Sequence, residues 1–448
     1  MPPDKAGIIP RLYPSTGSPV NPTPALNTLR PSACPGLLRI VQALDGGICR
    51  VKLAGGSITA AQAIAVADAA QTYAGGVIEA TNRANLQIRG IGAEQDALIA
   101  LLLAAGLGPS NAAGDDVRNL MLSPSAGIDP QMLFDTRPLA DRVLATLQHH
   151  PRFHELSAKF AVQLDGGEAL AMLEHHHDLW LSAFEQAGEI LWAFGLAGCP
   201  GLDAPLGAVP LEQGHALVVA VLEAFLDLAT PTQTRMRHLA VDNLLARLSL
   251  PLLPVDGFKR PAGGALLRLG TYPQRQKNLF YVAAVAPLGR LDSSMLKGAA
   301  QLASEFGDGT LRFTPWQGVL LPNLKNHGAV TEGLEQLGFL GSVDQPLARM
   351  IACTGSSGCG KGLADTKADA LQLAALQPGH DVHLSGCVRS CAAAHTAPVT
   401  LLAVSPGHYD VYFREAAQPG FGRLHARTLS IEAAGALLRG RTRSNTDD

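Results

Sequence analysis

Apolar side chains recur at three- and four-residue spacing in two distant stretches, Ile64, Ala67 and Ala70 in one and Leu296, Ala300 and Ala303 in the other. That period predicts two helices, each burying one face. The flanking runs LLRIVQALDGGICRVKL and GALLRLGTYPQRQKNLFYVAAVA read as strands. The stretch from Gly55 lies without gaps on the stretch from Leu288, so that Gly56 meets Gly289, Gly76 meets Gly309 and Thr81 meets Thr314. Each copy reads as strand, turn, helix, Gly turn, strand, which predicts a pseudo-twofold α+β protein. Two longer segments, about 115–253 and 343–438, follow the copies. In the first, KFAVQLDGG and DLWLSAFEQAGEILWAFGL predict a sheet with tight Gly turns, and a helix is expected over about 211–228. Pro and Gly in PLLPVDGFKRPAGG mark a linker, and RGRTRSNTDD reads as a tail.

Composition narrows the function classes. With 448 residues, roughly three modules are expected, each burying its own core. Lys and Arg number 35 against 38 Asp and Glu, a net charge of -3, which argues against nucleic acid or an anionic membrane as partner. No apolar run reaches the 18 or so residues that a membrane-spanning helix needs. Residues 1–28 are Pro-rich and lack a cationic start followed by an apolar stretch, so a disordered arm and a cytoplasmic address are expected. No G-x-G-x-x-G follows a strand, so no dinucleotide domain is expected within the chain.

Cys34, Cys49 and Cys199 are scattered singly, whereas Cys353, Cys359, Cys387 and Cys391 fall close together. Five residues (TGSSG) separate the first pair of the cluster and three (VRS) the second. Structural zinc knuckles favour two to four residues between paired ligands, so the spacing points to an iron–sulfur cluster ahead of zinc or core thiols. Gly- and Ser-rich loops also let backbone amides approach cluster sulfurs. The run His175, His176 and His177 alternates faces if extended, so at most two of the three converge. A polar turn between strands is the expected account of it.

CTGSSGC followed by GCVRSC resembles the cluster motif of the sulfite and nitrite reductases. The resemblance implies a [4Fe-4S] cluster on Cys353, Cys359, Cys387 and Cys391, and a nitrite/sulfite reductase-like α+β fold with two ferredoxin-like half-domains alternating with two larger domains. The organisation implied is an arm at 1–28, half-domains at 29–112 and 259–340, and larger domains at 113–253 and 343–440, the last binding the cluster. ATNRANLQIRG resembles the family's T-x-R-x-N-x-Q strand, which implies that Thr81, Arg83, Asn85 and Gln87 face a tetrapyrrole. VRNLMLSPSAG resembles R-N-x-x-x-S-P-x-A-G and would bring Arg118 and Asn119 to the same cavity. A macrocycle rimmed by carboxylates needs guanidinium partners, and Arg83, Arg89, Arg118 and Arg312 are placed to supply them.

The chain departs from the reductases where they carry a basic segment for the anion. LSAKFAVQLDGG keeps Lys159 but has Ala158 and Ala161 in neighbouring positions. Together with H-x-S-G-C-x-x-x-C-A-x-x-H, this resembles one branch of the family, the precorrin-3B synthases. The resemblance implies an oxygen-dependent monooxygenase that hydroxylates precorrin-3A and closes a γ-lactone, with Lys159, Arg83 and Arg118 as catalytic residues. It also implies a mononuclear non-haem iron of unknown ligands, for which His383 and His395, expected near the cluster edge, are candidates and to which Cys391 would bridge from the cluster. Electrons would come from NADH or a reduced carrier, directly or through a partner reductase. The alternatives are a siroheme-dependent sulfite or nitrite reductase and a zinc-stabilised binding protein.

Overall fold

The computed structural model describes residues 34–261, 264–415 and 420–444. The expected arm at 1–28 lies outside them.

The repeat appears as two antiparallel sheets. One runs in the order Val41–Ala43, Gly46–Val51, Leu86–Ile91, Val77–Ala80, and the other Gly270–Pro273, Phe280–Val285, Gly318–Leu324, Thr310–Phe313. Each is completed by a strand from the other copy. Arg290–Asp292 pairs with Val77–Ala80, and Ser57–Thr59 pairs with Thr310–Phe313. Helices start immediately after the exchanged strands. Ala60–Tyr73 is capped by Thr59, whose side chain accepts from the Gln62 amide, and Ser293–Phe306 by Asp292, which accepts from the Met295 amide. The two helices turn faces of Ala63, Val66, Ala67 and Ala70 and of Leu296, Ala299, Ala300 and Ala303 into a core shared by both copies. Length alone predicts a separate core for each module. Strand exchange joins these two instead, because Ser57–Thr59 and Arg290–Asp292 have no other sheet to complete.

The longer segments form two further sheets with the same plan. The first orders Leu120–Met121, Val162–Asp165, His177–Gln186, Glu189–Gly198 and Gly207–Pro210. The second orders Met350–Ala352, Val382–Ser385, Val399–Ser405, His408–Phe413 and Arg423–Ser430. In both, the first two pairings are parallel and the last two antiparallel. Parallel neighbours need a crossover, and Arg137–His149 and Thr366–Ala375 supply one in each sheet. The expected helix near residue 211 begins with a short turn, Leu211–Gln213, and runs as Gly214–Leu228. Loops leaving the carboxyl ends of parallel strands are where open sheets bind ligands. Here those loops carry Cys353 and Cys359 after one strand and Cys387 and Cys391 after the next, while in the other sheet His175 to His177 lie where the equivalent loop returns to the amino end of His177–Gln186.

Candidate cluster and tetrapyrrole site

Cys353 leaves its strand with its amide bonded to the Leu384 carbonyl (3.3 Å), and its sulfur accepts from the Gly386 amide (3.2 Å). Glycines shape the surrounding cradle. A Cβ on Gly386 would lie 3.3 Å from the Cys353 sulfur, and one on Gly355 would meet Ala364 O at 2.6 Å. Gly355 also has φ of 71°, which an L side chain resists. The Cys391 thiol is pushed up by burial and by the facing thiols of Cys387, Cys353 and Cys359, so all four sulfurs share one neighbourhood. All four are free thiols. A donor set of four thiols in a glycine cradle with an amide aimed at sulfur fits a [4Fe-4S] cluster.

The cradle is fastened to the first half-domain by buried charge. Arg89 forks onto Asp45 (2.9 Å twice) and donates to Gly358 O (3.3 Å). Glu79 accepts from Arg290 (2.7 Å) and from the Thr354 hydroxyl (3.1 Å), with Lys367 at 3.7 Å. Burial pushes the Glu79 carboxyl up, but Lys367, Arg89 and Arg290 outweigh it and hold it ionised.

Cationic and imidazole side chains gather beside Cys391, and the space they border is the candidate cavity. Two matched turns close on the Cys391 loop: Asn82 donates to Cys391 O (3.2 Å) and Gln317 to Ala392 O (3.4 Å). In the first turn the Thr81 hydroxyl accepts from the Asn85 amide (3.1 Å), and in the second Thr314 accepts from Gly318 (3.0 Å). Arg83 projects from the first turn. Among the described residues no hydrogen bond or ion pair engages its guanidinium, which is pushed down to about 10 by burial and then by Arg235 and Arg50. Arg235 is committed to Asp178 (2.9 and 3.0 Å), and Arg50 is braced by Gln87 when the Gln87 amide oxygen faces it (3.1 and 2.6 Å). Arg268 lies over the Trp316 ring at 4.3 Å.

Histidines form the remaining wall. The rings of His175 and His177 are 4.7 Å apart and both are buried, with Nδ1 of each unpartnered. Burial lowers His177 to about 3, with Arg83 adding to it, and drives His175 down in the same direction. His383 is held at about 3 by burial and then by His395, and His395 at about 4 by burial and then by Arg268. All four are therefore neutral near pH 7. Half-buried Arg83 and Arg50, with no ion-paired carboxylate among the described residues, next to unpartnered imidazole nitrogens and a Trp ring, fit a flat anionic ligand.

The residues expected to face a tetrapyrrole are divided by this geometry. Arg83 reaches the cavity, Thr81 shapes its turn and Gln87 braces Arg50. Asn85 accepts from the Leu53 amide (2.8 Å), and Asn119 donates to the carbonyls of Asp116, Ala158 and Phe160 (2.9, 3.0 and 3.1 Å). Arg118 donates to Gly108 O and Leu107 O (3.2 and 3.3 Å), and Arg312 to Pro124 O and Ala126 O (2.9 and 2.8 Å). Lys159 is exposed, with its own amide bonded to Ser157 Oγ at 3.2 Å. The histidine run lies in the expected turn between strands, with His177 opening the second, but the rings of His175 and His177 are buried rather than solvated and face the candidate cavity. Arg50, Arg235, Arg268 and Trp316 join them without having been singled out. One signal for Arg50 was available, since it pairs with Gln87 across the ladder.

Comparison with known proteins places this geometry. The family described as nitrite and sulphite reductase 4Fe-4S domain matches residues 113–243, and the nitrite/sulfite reductase ferredoxin-like half domain matches 41–105 and 272–336. The first of these covers the copy without the cluster cysteines. A chloroplastic ferredoxin–nitrite reductase of Zea mays is 31% identical over 392 residues, covering 78% of this chain and 68% of that protein. A precorrin-3B synthase of Sinorhizobium sp is 27% identical over 389 residues, covering 85% and 82%. The chain thus spans about two thirds of the length of the plant nitrite reductases it matches. The solved Mycobacterium tuberculosis NirA protein superposes with a TM-score of 0.72 at 19% identity, covering 89% of this chain and 80% of that one. Among the described residues no helix is long and apolar enough to cross a membrane.

Proposed function

We propose, from the premise that the chain belongs to the nitrite and sulfite reductase family, that this member is an oxidoreductase acting on a tetrapyrrole: a precorrin-3B synthase that inserts one oxygen atom of O2 into precorrin-3A and closes a γ-lactone. The observation that carries the reading is the balance of charge in the cavity. Arg83 and Arg50 are half-buried there with no ion-paired carboxylate among the described residues, while Lys159 faces solvent and Ala158 and Ala161 are buried. Such a site holds the carboxylates of a macrocycle and offers little to a small oxyanion. The match to a precorrin-3B synthase, over 85% of this chain and 82% of that protein, supports the same choice.

When bound, the cluster supplies single-electron transfer and a mononuclear non-haem iron supplies oxygen activation. The residues of the chain do the rest. Arg83, Arg50 and the outward face of Arg235 grip carboxylates at the rim. His175 and His177, neutral at pH 7, offer Nδ1 to a hydrogen bond from the ligand. The turns carrying Thr81 and Thr314 close the cavity against water. Two electrons and two protons per turnover reduce the second oxygen atom to water, and NADH or a reduced carrier, directly or through a partner reductase, is the source we propose.

The test supplies precorrin-3A, NADH with a reductase, and isotopically labelled oxygen gas to the cluster-loaded protein. One labelled oxygen atom in the product supports the reading. Absence of label together with nitrite- or sulfite-dependent oxidation of a reduced dye would replace it with the second reading, a siroheme-dependent reductase.

A further inference from the structure

The antiparallel ladder that pairs His177 with Gly198 sets His176 opposite Cys199 on the face turned away from the cavity. The chain then turns at Pro200, with the amides of Leu202 and Asp203 both bonded to Cys199 O (3.4 and 3.1 Å), and brings Asp203 back to the same spot. An Asp203 oxygen accepts from the Cys199 amide at 2.8 Å, which fixes the carboxylate. Ligand atoms of His176, Cys199 and Asp203 lie within 4.8 Å of one another. From this convergence we propose that His176, Cys199 and Asp203 bind one divalent first-row transition ion, separate from the four-cysteine cluster and on the opposite strand face from the tetrapyrrole cavity.

The donor set has the chemistry for it. One thiolate, one imidazole and one carboxylate suit Zn2+ or Fe2+, and three protein ligands leave a coordination position open. Cys199 is buried while His176 and Asp203 are exposed, so the ion would sit at the surface with its softest ligand inward. A surface groove of about 730 Å³ passes Asp203 and runs between Pro205 and Phe258, giving the open position access to small molecules. Two of the three ligands directly flank the paired ends of adjacent strands, so little chain must be ordered on binding. Binding exchanges the thiol proton for the metal and changes no oxidation state. Sequence spacing could not reveal the site, because 23 positions separate His176 from Cys199.

Protein purified without oxygen and carrying its cluster, treated briefly with a mild chelator, is titrated with Co2+. The expected result is one equivalent of Co2+ with a thiolate-to-cobalt charge-transfer band, and acid-labile sulfide unchanged throughout. Cys199→Ala should abolish the band, and His176→Ala, an exposed change that spares the fold, should weaken Co2+ binding about 100-fold, since even outer-shell changes cost 10–100-fold. Metal analysis of the untreated protein should show one Zn or Fe beyond the cluster's iron, absent from Cys199→Ala. No uptake of Co2+, or the same uptake and band in both variants, overturns the proposal and leaves the precorrin-3B synthase reading untouched.

Discussion

The two larger domains share one sheet plan, with the same strand order and the same switch from parallel to antiparallel pairing, yet they do opposite things at matching places. In one, the loop after the first strand holds Cys353 and Cys359. In the other the equivalent loop, Ser123 to Gly127, is tied to its surroundings by hydrogen bonds: Ser125 donates to Asp129 (2.7 Å) and Ser123 to Leu170 O (2.5 Å). At the next loop one domain presents Cys387, Cys391 and His395, the other His175 and His177. The half-domains grip them accordingly. Glu79 and Arg312 occupy matching positions of the repeat; Glu79 takes the Thr354 hydroxyl beside the cluster, whereas Arg312 donates to the Pro124 and Ala126 carbonyls. A duplicated scaffold thus carries a thiol side and an imidazole and guanidinium side, which the proposed function uses for electrons and for the ligand.

The sharpest way to break the comparison is at the thiols. Cys359→Ser should remove essentially all acid-labile sulfide and destabilise the second large domain, because cluster binding is coupled to folding. Cys49→Ala should leave sulfide unchanged, its thiol being buried and bonded to Leu37 O at 3.7 Å. Equal loss in both would dissolve the distinction.

Next in size is the grip. Glu79→Gln leaves Lys367, Arg89 and Arg290 facing one another without their anion, and should cost about 3–5 kcal/mol in urea unfolding. Arg312→Met strands two carbonyls and should cost about 1–3 kcal/mol. A larger loss for Arg312→Met would reverse the ranking of the two sides.

Arg83→Ala should weaken binding of the tetrapyrrole by about 10- to 100-fold, the value of one charge-assisted hydrogen bond. It should also raise the thermal midpoint of the ligand-free protein, since it removes a buried cation that Arg235 and Arg50 repel. Unchanged affinity would remove Arg83 from the cavity wall.

The smallest effect is on pH. His383 and His395 are held at about 3 and 4 in the fold against about 6.5 unfolded, so the unfolded chain takes up protons that the folded one refuses. Their contribution is fully present above pH 6.5 and is lost as pH falls toward 4, at up to about 1.4 kcal/mol per pH unit for each proton. Replacing His383 by Phe should flatten that slope, read from urea midpoints between pH 7 and 4.

Much of this division was legible in the sequence. The repeat was readable because helix period and Gly turns are local, and its copies match the structure from strand to helix to strand. Four cysteines at unequal spacing announced a cluster for the same reason. Strand exchange was not readable, because pairing of Ser57–Thr59 with Thr310–Phe313 depends on a partner about 250 positions away. Side-chain direction was lost too. Arg118 and Asn119 sit in a motif that resembles tetrapyrrole contacts and Arg312 was expected at the rim, but their donors serve backbone carbonyls, which sequence cannot show. Conversely, three consecutive histidines look solvated until burial of His175 and His177 makes them a wall.

The central claim is that the cavity receives its tetrapyrrole as substrate. The most direct measurement is the visible spectrum of protein purified without oxygen and without added substrate, taken with iron and acid-labile sulfide analysis. The account predicts a broad iron–sulfur shoulder with iron in excess of the cluster's share and no macrocycle bands. Sharp macrocycle bands surviving purification would contradict it and mark the tetrapyrrole as a resident siroheme.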